Sequence, residues 1–81
     1  MATVHLMSQH RTFTGGLATV EADGATVGQV IDDLELRYPG LGVALRGGSS
    51  AGIDGEIHAE PEFVAVTETT EVYFLAPVVG G

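Results

Sequence analysis

The chain has 81 residues, enough for one domain with a small core, and sets eleven acidic residues against three arginines and no lysine, for a formal charge of −8. That balance argues against a nucleic-acid partner, which needs clustered Lys and Arg to neutralise phosphates; at 44% hydrophobic and 17% charged the chain is globular rather than disordered. There is no cysteine, which excludes disulfides, thiolate catalysis, cysteine metal sites and a side-chain persulfide.

The negative charge serves solubility, and it equally suits a partner with a basic docking surface. No apolar run approaches the length of a membrane span. Met1 is followed almost at once by strand-like sequence, so no signal peptide is visible and a cytoplasmic protein is expected.

Thr3-Val4-His5-Leu6-Met7 is rich in β-formers and reads as a first strand. Ser8 to Thr14 is polar and runs into Gly15-Gly16, which predicts a hairpin or wide turn. Leu17 to Ala22 alternates roughly and reads as a second strand, closed by Asp23-Gly24. The clearest local signal follows. Thr26 is placed to cap a helix, with Gln29 three residues on completing a capping box. Val27, Val30, Ile31, Leu34 and Tyr38 share one face at helical spacing, whereas Gln29, Asp32, Asp33 and Arg37 should meet water. Asp32 and Asp33 lie in the first half, where the helix dipole favours negative charge. Pro39-Gly40 stops the helix.

Leu41 to Gly55 mixes Leu41, Val43, Leu45 and Ile53 with glycines and serines; a loop or short helical turn and then a short strand around Ile53 are expected. Ile57 to Ala59 is a candidate strand and Phe63 to Thr67 a better one, with Glu68-Thr69-Thr70 as a turn. Glu71 to Ala76 is the last strand, almost wholly apolar, as a strand buried centrally in a sheet would be. Pro77 lacks an N–H and cannot extend the ladder. This order predicts an α+β domain over residues 1–77, one main helix packed across one mixed sheet, and a flexible tail at 78–81.

The final Gly80-Gly81 carries the most specific chemistry. At average composition a given pair is both glycine about once in 200. A glycine carboxylate has no Cβ and takes backbone angles closed to other residues, so it can enter a narrow channel in another protein. The expected reactive group is therefore the main-chain carboxylate of Gly81.

In Glu71-Val72-Tyr73-Phe74-Leu75-Ala76-Pro77-Val78-Val79-Gly80-Gly81 the chain resembles the MoaD/ThiS family of ubiquitin-like sulfur carriers, which have the β-grasp fold. The family usually has two prolines where this chain has Ala76-Pro77. Thr26-Val27-Gly28-Gln29-Val30-Ile31 and the Ile53-Asp54-Gly55 turn fit as well. The stretch from Thr14-Gly15-Gly16 through Asp33-Leu34-Glu35 and Tyr38 is similar to actinobacterial carriers that supply sulfur for cysteine synthesis. The usual Asp-Gly-Asp turn is replaced by Glu68-Thr69-Thr70, and residues 47–62 do not follow the family pattern.

The resemblance implies a mechanism. The Gly81 carboxylate attacks the α-phosphorus of ATP in a ubiquitin-activating-enzyme-like adenylyltransferase that uses ATP and Mg. A persulfide or sulfide from a sulfur donor enzyme then displaces AMP. The Gly81 thiocarboxylate is used by a sulfur-accepting synthase. The carrier itself binds no cofactor or metal and is not an enzyme, although it could be the small subunit of a synthase. Gly80 keeps the tail slim, and Pro77, Val78 and Val79 are candidate docking residues, with Leu75 read as core.

Other features have plainer readings. Leu45-Arg46-Gly47-Gly48 copies the end of ubiquitin internally, and a loop is expected there. His5, His10 and His58 lack metal-ligand spacing, and His5 should point out of the sheet. Asp32, Asp33 and Glu35 read as a solvated helix face. Gly15-Gly16 is turn chemistry, with no Lys following to bind phosphate. Within the carrier class, molybdopterin synthesis and cysteine or other thio-metabolite synthesis compete. Outside it stand a protein modifier conjugated through Gly81 and a non-covalent interaction module.

Overall fold

The computed structural model describes residues 1–47 and 50–75. Five strands form one mixed sheet: β1 (Ala2–His5), β2 (Thr19–Ala22), β3 (Ser50–Ile53), β4 (Glu56–His58) and β5 (Glu71–Leu75), in the order β2-β1-β5-β3-β4. β5 runs parallel to β1 and antiparallel to β3; the outer pairs are antiparallel. Two helices, α1 (Val27–Arg37) and α2 (Leu41–Arg46), complete the α+β architecture predicted from the sequence.

α1 forms where its pattern places it. Thr26 is extended, and its Oγ1 accepts the Gln29 N–H at 3.3 Å. The Gln29 side chain reaches one residue further back than a capping box requires, accepting the Ala25 N–H at 2.8 Å. Val27, Val30, Ile31 and Leu34 are buried with Val4, Val20, Val72 and Phe74 of the sheet. Gly40, at φ 96°, takes a left-handed turn that lets α2 start at once and add Leu41 and Leu45 to the core. Asp54 and Gly55, at φ 49° and 88°, give the two left-handed residues of a tight β3–β4 hairpin.

Four expectations are corrected. Ser8–Thr14 is a 3₁₀ helix rather than a hairpin or wide turn. Its polar side chains satisfy local carbonyls: Arg11 donates to Leu6 O at 3.2 Å, and Thr14 Oγ1 lies 2.9 Å from Leu17 O. β2 consequently starts only at Thr19.

Phe63 to Thr67 is not a strand of the sheet. Pro61, with its fixed φ, opens a 3₁₀ turn over Pro61–Phe63. The residues after it bond to the entrance of α1: Val27 N–H to Val64 O and Val66 N–H to Ala25 O, both 3.0 Å, with a lone bridge at Thr26–Ala65.

β5 is central in the sheet but not covered on both faces. Val72 and Phe74 are buried, whereas Glu71 and Tyr73 are exposed, because both helices lie on one side. The acids of α1 are not merely solvated either. Asp33 accepts from Asp23 N–H and Arg37, both at 3.0 Å, and Asp32 holds Arg46 at 2.9 Å. Glu35 accepts from Gly40 N–H at 2.8 Å and Val43 N–H at 3.3 Å. The Gly40 bond above all holds the Glu35 carboxyl below its ordinary value, outweighing burial.

Candidate functional site

The segment expected to react begins where β5 ends, at Leu75. β5 is held along both edges: Val4 and His5 face Val72 and Tyr73 on one side, and Ser50 to Ile53 face Leu75 to Val72 on the other. Phe74 is among the largest fully buried side chains, so the strand is also pinned to the core. Pro77, Val78, Val79, Gly80 and Gly81 lie outside the described residues, as does Gly48. Leu75 is half-buried rather than core. Leu45 is buried within α2 and Arg46 ends that helix, so this pair belongs to a helix and not to the expected loop.

Alternation along the strands sends one set of side chains to the face that the helices leave open. The pairing registers align five of them across the whole sheet: Thr19 on β2, His5 on β1, Tyr73 on β5, Gly52 on β3 and Ile57 on β4. His5 and Tyr73 stack with centroids 3.9 Å apart and planes 5° from parallel. The His5 Nε2 lies 2.9 Å from Glu71 Oε1, so both neighbours fix the ring, and His5 points out of the sheet as expected. Tyr73 is 46% and Ile57 72% exposed, so this row carries apolar surface on the open face two residues before the end of β5. The strand alternation hinted at these outward residues; their alignment depends on registers that the sequence does not state.

The chain's cations are turned onto itself. Arg11 binds Leu6 O, Arg37 binds Asp33, and Arg46 binds Asp32 and Glu62. Glu21, Asp23, Asp54, Glu60 and Glu68 have no ion-pair partner among the described residues. A groove of about 480 Å³ opens between the end of α2 and residues 59–63, with Ile31, Leu45 and Phe74 in its lining. Its one cation, Arg46, is already committed. His10 is buried, its Nδ1 has no hydrogen-bond partner among the described residues, and burial holds its pKa below the ordinary value. Among the described residues no group of three or more His, Asp or Glu is placed to hold a metal ion, and no helix is long and apolar enough to cross a membrane.

The sequence matches the ThiS family over residues 4–81. The chain belongs to the ThiS family. Over 50 residues it is 44% identical to the sulfur carrier protein CysO of Mycobacterium tuberculosis, covering 62% of this chain and 54% of that one. The chain thus aligns with about half the length of the curated relatives it matches. In structure it is similar to M. tuberculosis CysO, with a TM-score of 0.86 and 27% identity over 96% of this chain and 100% of the other. It is similar to a chain of the Amycolatopsis orientalis BexX/CysO complex, with a TM-score of 0.83 and 31% identity over 100% of both. SAMP1 from Haloferax volcanii gives 0.69 and 27%, over 99% of this chain and 98% of that one. The fold of this ThiS-family chain is therefore the ubiquitin-like β-grasp.

Proposed function

We propose that this chain is a sulfur carrier protein whose reactive group is the carboxylate of Gly81. The observation that carries this is the family match, which runs to Gly81 itself. The likeness to CysO, a sulfur carrier protein, supports it. A carboxylate oxygen attacks the α-phosphorus of ATP in a ubiquitin-activating-enzyme-like adenylyltransferase, and pyrophosphate leaves. A sulfide sulfur then attacks the acyl carbon and AMP leaves, giving a thiocarboxylate. ATP and Mg are bound by the activating enzyme, not by the carrier. The carrier's own contribution is an anchored central strand, a slim Gly80-Gly81 end and a docking surface that includes Pro77, Val78 and Val79. Such a carrier works in the cytoplasm and engages neither nucleic acid nor membrane.

The partners are the adenylyltransferase, a sulfur donor enzyme and a sulfur-accepting synthase. The solved association of CysO with BexX supports a carrier that docks onto other proteins. The similarity of the stretch from Thr14 through Tyr38 to actinobacterial carriers favours sulfur supply to cysteine or another thio-metabolite over the small-subunit role in molybdopterin synthase. A second reading, a protein modifier joined through Gly81 by isopeptide bonds to target lysines, is favoured by the likeness to SAMP1, whose name stands for small archaeal modifier protein 1.

ATP–pyrophosphate exchange with the adenylyltransferase tests the reading. Gly81→Ala places a methyl beside the reacting carbon and should abolish exchange while the melting temperature stays unchanged. Normal exchange by that variant would overturn the proposal.

A further inference from the structure

The row across the open face contains a gap. Gly52 sits mid-strand in β3, directly between Tyr73 on β5 and Ile57 on β4. Nothing in the fold requires glycine there. Its φ is not left-handed, and the pairing runs without a bulge from Ser50 to Ile53. A Cβ would meet only ordinary contacts, 3.8 Å from Tyr73 Cβ and 4.0 Å from Tyr73 O. A mid-strand glycine weakens a sheet, and where it marks neither bulge nor bend it marks close approach by another molecule.

The surroundings describe what approaches. His5 covers one face of the Tyr73 ring and is itself held by Glu71, so the ring is fixed in advance. The other face is turned to the β3 side, over Gly52. Ile57 forms the far wall, on a strand roughly 10 Å from β5. Asp54, just past the end of β3 and without an ion-pair partner among the described residues, stands at one end of this slot, while the Glu71 carboxylate is engaged by His5. The three arginines of the chain are bonded elsewhere.

We propose that the slot receives an arginine side chain from the basic docking surface of a partner protein. The guanidinium stacks on the free face of Tyr73 and the aliphatic stem lies along Ile57. Arginine is the cation that combines a planar face for stacking with an apolar stem, and a ring already fixed loses little freedom on binding. A second copy of this chain is a poor occupant, because two bodies of charge −8 repel. The inference rests on the carrier reading, with the partner being the enzyme that adenylates Gly81.

Thiocarboxylate formation in host lysate with ATP and sulfide, followed by intact mass over a range of carrier concentrations, tests it. Gly52→Val should melt at or above the wild-type temperature, yet need about tenfold more carrier for half-maximal charging, at unchanged maximal rate. Gly52→Ala, for which there is room, carries the same test if valine disturbs the sheet. Tyr73→Leu should lose as much, Tyr73→Phe should behave as wild type, and added salt should raise the half-maximal concentration of wild type. Folded Gly52 or Tyr73→Leu variants that charge at wild-type concentrations would overturn the slot. So would a Tyr73→Phe loss, or indifference to salt. A wild-type chain that never charges overturns the carrier reading itself, and the slot's partner with it.

Discussion

The guanidinium of Arg46 lies 2.9 Å from the carboxylate of Asp32, tying the last residue of α2 to the middle of α1. The same group reaches Glu62 at 3.1 Å and donates to Gly28 O at 3.1 Å, so one side chain joins both helices and the 61–63 turn. The Asp32 bond, opposed by a smaller effect of burial, raises the Arg46 pKa further above its already high value, so the charge is permanent.

Arg46→Ala should lower stability by about 1–2 kcal/mol, a modest loss because the pairs are partly exposed and screened. Arg46→Lys should recover only part, since an ammonium cannot fork between two carboxylates and a carbonyl. Urea denaturation measures both. The difference from wild type should shrink in high salt.

Acid should weaken the fold in two separate windows. Burial holds the folded-state pKa of His10 below 6.5, so the unfolded chain takes up the proton more readily. The stability that neutral His10 contributes is full above 6.5 and is lost as pH falls from there through the folded value. Glu35 has a folded pKa below 4.5, so its contribution is full above 4.5 and is lost as pH falls through its lower folded value. Melting temperature against pH should lose the first slope in His10→Leu and the second in Glu35→Gln.

Phe74 is 1% exposed at the centre of the core. Phe74→Ala should cost about 3–5 kcal/mol, a large share of the 5–15 kcal/mol typical of whole domains. The urea midpoint should fall steeply, and at physiological temperature a substantial unfolded fraction should appear by circular dichroism.

Thr26→Ala removes the acceptor at the start of α1 and should cost about 1 kcal/mol. Thr26→Asn should restore most of it, because its side-chain oxygen can accept the same N–H. Both are read from urea midpoints.

Much of this was legible in the residues because local signals and tertiary packing agreed. Thr26, Gln29 and the Val27-Val30-Ile31-Leu34 spacing declared α1, and the Ile53-Asp54-Gly55 turn was visible between two short candidate strands, though not as a hairpin. Phe63 to Thr67 misled because an apolar, β-branched run looks alike whether it joins a sheet or straps a helix entrance; Pro61 decided for the strap. Tyr73 looked buried because apolar neighbours on one strand do not reveal which sheet face is covered. Ser8 to Thr14 offered no periodicity, and its 3₁₀ helix depends on Arg11 and Thr14 capping nearby carbonyls. The reading of the Gly80-Gly81 end rests on the sequence, since both residues lie outside the described ones. The row from His5 to Ile57 was not legible, because it depends on parallel pairing of β1 with β5 across most of the chain.

The most direct measurement is the intact mass of the chain after incubation with host lysate, ATP and a sulfide source. A gain matching one oxygen replaced by sulfur, absent when Gly81 is deleted, is the result a Gly81 sulfur carrier must give. An unchanged mass in a lysate that charges another carrier would contradict it, and higher-mass conjugates beside that unchanged mass would favour the modifier reading instead.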